Sequence, residues 1–545
     1  MISKIGVDDR NVNSLRLSTP KNNREMQSPS FKGGGVWSAL LMGIQECEKN
    51  PMINVAVIDL FSAILPRTFV ESLTNWFAGF EAFRRESSGL IVNCLIPGYI
   101  TMGIAQLLNK FVMPKNTNLA TCWADSTLID KATQLYTQSQ SDDKIKDSLK
   151  EILKDIQGVD GKKPVNFNKE LTAEEIELYA TKLKELASTN KTNNEIKKGV
   201  KAIANEIAQK THVFENIQIG EGKNTVKAST VRTLLEDSVK YFREFQKAEG
   251  INIQEYANKS KKLVKSKSLL GLAVVLPLAA SMQYINRWIT GKISGVNGAP
   301  IYEDFGKTEE IETKQSDKKG LLKQKLISIS SMVGVGLLSM MKMPSWNMLE
   351  FKGKFPTMDQ ARIISTTTFA SRMAAADDKN ELAESTVRDI ATFFGLYFLG
   401  DYAAKIAATI IQKKTDVTLL NETQKLEENA NMFKRFWHWV KHTNIKSSEE
   451  VISKTAEDLK LKKLQPNETQ KETIAKELKK AINYRSACQV ANLGVSLILL
   501  GLIIPIFTRK NTKKRHAEDL KLAQQNSSSE TERADKAPEI ATQTA

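Results

Sequence analysis

Signatures of catalysis are missing from this chain, and so are most of the residues that build them. Across 545 residues there are four histidines and four cysteines. Cys47, Cys94, Cys122 and Cys488 fall in no paired or metal-ligand spacing, so they read as reduced thiols and argue against a disulfide framework. No P-loop, HExxH, CxxC or GxSxG pattern occurs. Gly334-Val335-Gly336 lacks a third glycine and sits inside an apolar stretch instead of after a strand, which removes the dinucleotide fingerprint. His438 and His442 are four apart, but without a third ligand a polar helix face explains them better than a metal does. The expectation is a protein that is not an enzyme, with no catalytic or metal-ligating residue and no cofactor. No apolar segment of signal-peptide type occurs in the first thirty residues, so none is expected.

Charge is also missing, in blocks. Ser87–Asn109 and Ser486–Thr508 are uncharged for 23 residues each, and Ser268–Asn286 for 19. At about 1.5 Å of rise per residue, such runs reach or approach the length needed to cross a bilayer. Leu326–Met341, with 16 uncharged residues, is marginal; Ser330 and Gly334 would give it a small-residue packing face. Met52–Pro66 is apolar except for Asp59, and at 15 residues is short for a span. Ile390–Ile411 is apolar but carries Asp401 and Lys405, four apart and so on one helix face.

The net charge of +16 is decided by its placement. Residues 115–258 hold 22 basic and 22 acidic side chains. The surplus flanks the apolar runs instead, at Lys259–Lys267, Lys318–Lys325 and Arg509–Arg515. That distribution fits a bilayer with anionic headgroups, and it argues against nucleic acid, which needs a basic face on a folded domain. The positive-inside rule then puts Lys259–Lys267 and Arg509–Arg515 on the same, cytoplasmic side, with Lys413–Arg485 opposite.

Between the apolar runs, residues 114–267 change character. Ile145, Leu149, Ile152 and Ile156 form one helical stripe; Ile176, Tyr179, Leu183 and Leu186 form a second, behind a capping box of Thr172 and Glu175. Ile196, Val200, Ile203 and Ile207 form a third, and Val231, Leu235, Phe242 and Phe245 a looser fourth. Narrow stripes need partners, so a coiled-coil-like helical bundle is expected. The whole reads as all-α, a multi-pass helical membrane protein with a soluble helical bundle inserted between membrane segments. Its expected parts are a disordered segment 1–35, a membrane hairpin 36–113, the bundle 114–267, membrane helices 268–345, a region 346–412 with one further possible span, a charged helical region 413–485, a terminal span 486–508 and a basic, then polar disordered tail 509–545.

Three kinds of site stand out. Charges within or beside apolar runs are the first: Asp59, Arg67, Arg84, Arg85, Glu86, Asp401 and Lys405, since a charge in a membrane is costly and functional by default. Helix-breaking positions are the second: Pro97 with Gly98, Pro277 and Pro505. Interfacial aromatics are the third. Leu73, Trp76, Phe77, Phe80 and Phe83 make one stripe ending at Arg84-Arg85. Met432, Phe433, Phe436, Trp437 and Val440 make another, opposite Lys434, Arg435, His438 and Lys441.

The runs VAVIDLFSAILPRT (Val55–Thr68) and FRRESSGLIVNCLIPG (Phe83–Gly98), with Phe31-Lys32-Gly33, resemble an uncharacterised family of bacterial membrane-associated proteins. That resemblance covers residues 30 to 110, implies a bacterial inner membrane and carries no activity to any residue. The leading expectation is a scaffold that docks protein partners, or itself, through the bundle. The alternative is a transporter or channel component using the proline-broken helices and intramembrane charges.

Overall fold

The computed structural model describes residues 51–156, 171–211, 213–220, 225–296, 298–302, 305, 318–340, 346–422, 426–427, 429–462 and 468–535. The expected disordered segment 1–35 lies outside the described residues. Among the described residues the fold is all-α apart from two small two-stranded antiparallel sheets. Among the described residues, five helices are long and apolar enough to cross a membrane, or six if one helix pair bent by 47° is a single span.

Prolines shape the first of these. Helix α1 (Pro51–Asp59) passes through a π-turn at Leu60–Ile64 into α2 (Leu65–Ser72), and together they make a span of 21 residues, Met52–Ser72. The apolar run therefore does not stop at Pro66. Proline has no N–H, and its ring crowds the carbonyl four residues back. Widening the preceding turn relieves that crowding: Leu65 N donates to Leu60 O, five residues away. The same device recurs before Pro97, where Ile96 N donates to Ile91 O at 3.1 Å, and before Pro505, where Ile504 N donates to Leu499 O. Pro277 is different and sits inside an unbroken α-helix.

Helix α3 (Trp76–Leu90) and α4 (Pro97–Val112), joined by the π-turn Ile91–Leu95, are the bent pair. Gly98 is required at the bend, because a Cβ there would stand 2.1 Å from the Lys354 carbonyl oxygen. The aromatic connector is the opening of α3 and not a separate helix lying flat. Asn75 fixes that opening by accepting from Ala78 N at 2.7 Å and donating to Pro300 O and Tyr302 O.

The bundle follows: α5 (Ser126–Gln138), α6 (Lys144–Lys154), α7 (Ala173–Leu186), α8 (Asn193–Thr211), the hairpin β1 (Glu215–Ile219) and β2 (Val226–Thr230), α9 (Val231–Gln246), and the start of α10 (Ile253–Ser294). All four apolar stripes enter one core, with Leu149, Val200, Ile207 and Leu235 fully enclosed. The capping box of Thr172 and Glu175 is present. The hairpin was not foreseen: its alternating Ile217 and Ile219 are too short a signal beside helical neighbours.

Helix α10 is continuous for 42 residues, so no break separates bundle from layer at Lys267. Lys267 instead turns inward, donating to Cys122 O at 3.0 Å, 4.8 Å from the Trp123 ring. From there α10 runs to a distal end. Helix α11 (Lys318–Ser339) returns, with Lys325 bonded to Ala374 O and Gly336 against Thr366. Helix α12 (Met358–Ala374) runs outward again: Gln360 binds Leu349 O near the bundle end, and Ser371 binds Ala280 O toward the distal end. Helix α13 (Lys379–Phe394), a π-turn Gly395–Leu399 and α14 (Gly400–Lys414) come back. A module of β3 (Leu420–Glu422), α15 (Met432–His442), β4 (Thr443–Ile445) and α16 (Ser448–Lys462) then touches the bundle, Ser453 donating to Gln209 O at 3.3 Å. Helix α17 (Glu468–Ser496), a π-turn Leu497–Ile503 and α18 (Ile504–Asp535) run outward last.

Two readings from the sequence change here. Lys259–Lys267 and Arg509 lie at opposite ends of the layer, because α12 is an extra traverse. Hydropathy hides it: α12 is rich in Ser and Thr, whose hydroxyls are satisfied within the helix by Thr366→Arg362 O, Thr367→Ile363 O and Thr368→Ile364 O. The chain beyond Arg509 also continues as helix to Asp535, where a disordered tail was expected. Thr512 Oγ1 donates to Glu384 at 2.6 Å and Asn380 to Asp519 at 2.7 Å, which ties α18 to α13.

Candidate functional site: a buried charge cluster at the distal end of the layer

Helices α2, α3, α10, α12, α13 and α18 converge where their charged residues face inward. Glu86 accepts from both terminal nitrogens of Arg372, at 3.1 and 3.3 Å, and from Arg67 at 3.5 Å. Arg67, with no exposed surface, also donates to Leu500 O at 3.3 Å and to Thr392. Arg85 contacts Glu86 at 3.2 Å. Arg372 reaches Asp389 at 3.4 Å, and Asp389 in turn holds Arg388 at 3.2 Å. Arg388 continues to Glu384 at 3.5 Å, and Arg509 ties Glu71 to Glu384. On the α10 side, Arg287 pairs with Glu81, Asp377 and Glu381.

Counting Arg287, which is mostly buried, six guanidinium groups meet six buried carboxylates: Glu71, Glu81, Glu86, Glu381, Glu384 and Asp389. Burying such charges is tolerated only when they are paired and hydrogen-bonded; here every one has an opposite charge within 4 Å, though not every polar atom is hydrogen-bonded. A narrow cleft among Glu81, Arg85, Gln283 and Arg388 has room for roughly one water molecule. Six buried atoms of residues lining it, Glu81 Oε2, Arg85 Nη2, Gln283 Oε1, Arg287 Nε, Glu384 Oε1 and Arg509 Nε, make no hydrogen bond among the described residues.

Of the charges singled out in the sequence, Arg67, Arg85 and Glu86 join this cluster. Asp59 is half-buried at the first π-turn, with Glu86, Arg67 and Arg372 its nearest charges. Arg84 points away, to Asn286 O and Thr290 on α10, with its guanidinium 4.7 Å from the Phe80 ring. Lys405 is not part of the cluster. Lys405 donates to Val440 O at 3.3 Å and lies over Tyr402 and Trp439, and the Asp401 side chain lies outside the described residues. The residues missed are Glu71, Glu81, Arg287, Arg372, Glu381, Glu384, Arg388, Asp389 and Arg509. One signal was there: Glu381, Glu384, Arg388 and Asp389 follow the spacing of a single helix face, a charged stripe where an apolar one would face a core.

The interfacial aromatics divide. Trp76 is 72% exposed and stacks near Phe80 at the distal end, while Phe77 turns onto Phe305. Phe433, Phe436 and Trp437 all remain outside any core at the bundle end. Among the described residues no group of three metal-ligating side chains occurs.

Outside the layer, several buried groups titrate unusually, two of them where α9 meets the segment of Cys122 and Trp123. Burial pushes the Asp237 carboxyl up to about 6, although its oxygen accepts from Trp123 N at 2.9 Å. Burial also pushes the Cys122 thiol up to about 12, which makes it a poor nucleophile. No protein-family model, curated protein or solved structure matches this chain, so the site stands on its own geometry.

Proposed function

We propose that this chain is a multi-pass membrane scaffold, in which a closed helical layer anchors one folded head at one membrane face and the head docks protein partners or a second copy of itself. The observation that carries this reading is the convergence of two distant parts of the chain. The bundle and the module of residues 413–485 meet at the same end of the layer through Ser453 and Gln209, and the unbroken α10 couples them rigidly to the membrane portion. The layer beneath is filled by matched charges, with space for about one water, which suits an anchor better than a permeation path. In this reading the lipid partner is anionic, and the membrane is the bacterial cytoplasmic membrane on the sequence resemblance noted above.

The transporter reading keeps one specific support, the unbonded buried atoms Arg85 Nη2 and Gln283 Oε1 at the cleft. Two measurements on the full chain separate the readings. A scaffold extracted in mild detergent migrates as an assembly larger than the 60.9 kDa chain and leaves reconstituted vesicles as tight to protons and anions as empty ones. A monodisperse monomer with ion flux abolished by Arg388→Gln would reject the scaffold.

A further inference from the structure

The amphipathic helix α15 has no core of its own: none of its residues is buried. Met432, Phe433, Phe436 and Trp437 are exposed by 85, 72, 57 and 50%, an unusual cost for a soluble face. The helix carries Lys434, Arg435 and Lys441 and not one acidic residue; Glu427 sits 3.5 Å from Lys434 and offsets part of that charge. It is tied to α14. Trp439 Nε1 donates to Thr409 Oγ1 at 3.1 Å, and Val440 O accepts from Lys405 at 3.3 Å.

That attachment fixes its depth. Arg287 pairs with Glu381, so these two residues mark one level at the distal end. Along α10, Arg287 and Lys267 are roughly 30 Å apart at 1.5 Å per residue, the thickness of a hydrocarbon core. Along α13 and α14, Glu381 and Lys405 are separated by roughly 36 Å on the same rise. Lys405 therefore stands at the headgroup level of the bundle end, and α15 with it. Beside it, Ile406 and Ile410 are 52 and 50% exposed and extend the apolar surface past that level.

We propose that α15 is an anionic-lipid foot. Its Met432–Trp437 face inserts among the headgroups of the bundle-end leaflet, Lys434, Arg435 and Lys441 pair with lipid phosphates, and the residue 413–485 module is thereby held against the membrane. The charge complementarity and the depth select a bilayer over nucleic acid or a protein groove. The proposal rests on the membrane reading above.

The test uses the full chain with Cys47→Ser and Met432→Cys, since Cys94, Cys122 and Cys488 are buried. An environment-sensitive fluorophore on position 432 is read in vesicles of phosphatidylcholine, with and without phosphatidylglycerol. Expected is quenching by brominated acyl chains that is several-fold stronger with phosphatidylglycerol, and a loss of that difference in Lys434→Gln/Arg435→Gln/Lys441→Gln. Equal lipid quenching in both vesicles, quenching by aqueous iodide in both, or shielding from both quenchers would each overturn the foot while leaving the membrane reading intact. Failure of the chain to enter vesicles at all would overturn both.

Discussion

In the bundle, Leu149, Ile152, Val200 and Ile207 are enclosed, while pairs such as Lys191–Glu195 face outward. In the layer, charges are enclosed beside apolar side chains and apolar side chains also cover the outside: Arg67, Glu86 and Asp389 are buried along with Phe351 and Phe393, while Phe69, Phe111 and Leu338 stand 65, 85 and 78% exposed. Leu178 is the sole large apolar side chain exposed among the described residues between α4 and α10. The two regions share helix geometry and even share a helix, α10. In the membrane reading proposed above, what differs is the surrounding solvent each is built for. Water rewards burial of apolar surface, whereas hydrocarbon is as apolar as leucine and leaves polar pairing and close packing to hold helices together.

The comparison breaks most completely if the ends are wrong. Single engineered cysteines at Leu178, Lys479 and Lys514 should label with a membrane-impermeant reagent so that the first two share one side and Lys514 lies opposite. Labelling of Lys514 together with Leu178 would restore the orientation expected from charge and remove α12 as a traverse.

Next in size is the cluster itself. Arg372→Leu removes the bidentate partner of Glu86 and one of the two guanidinium partners of Asp389, leaving Arg67 and Arg85 on the first and Arg388 on the second; breaking a buried pair costs up to about 3–5 kcal/mol. Thermal unfolding in detergent should fall sharply, and a shift within error would show that the cluster is hydrated.

A smaller effect belongs to Asp237, where α9 meets Trp123. Its folded-state value near 6 lies above the ordinary 3.8. The stabilising contribution of the protonated form is complete below 3.8 and is lost as pH rises through about 6. Asp237→Asn removes that dependence, so its advantage in melting temperature over the natural chain should grow between pH 4 and 7, toward about 3 kcal/mol at the upper bound of two pKa units. Parallel pH curves would place the carboxylate in water.

Smallest is Lys191→Ala on the bundle surface, where loss of an exposed pair is worth less than about 1 kcal/mol. A melting shift matching that of Arg372→Leu would erase the distinction between the two regions.

Much of this was legible beforehand. The four apolar stripes of the bundle, the capping box at Thr172 and the long uncharged runs are local patterns, and periodicity reads local patterns well. Arg67, Arg85 and Glu86 were found because a charge in an apolar run is conspicuous. Glu384, Arg388 and Asp389 were passed over because charge on a mixed-composition helix looks like a solvated face until its partners are known.

By itself, the sequence determined the helices of the bundle and which runs are long and apolar enough to face lipid, since each of these depends on residues a few positions apart. Tertiary structure alone decided that α12 runs alongside the apolar helices, and so which ends of the layer carry Lys267 and Arg509. It alone assembled the cluster, because Glu71, Glu86, Arg372, Asp389 and Arg509 come from separated stretches of chain. The cost of burying each charge is offset only by a partner that the local sequence does not contain.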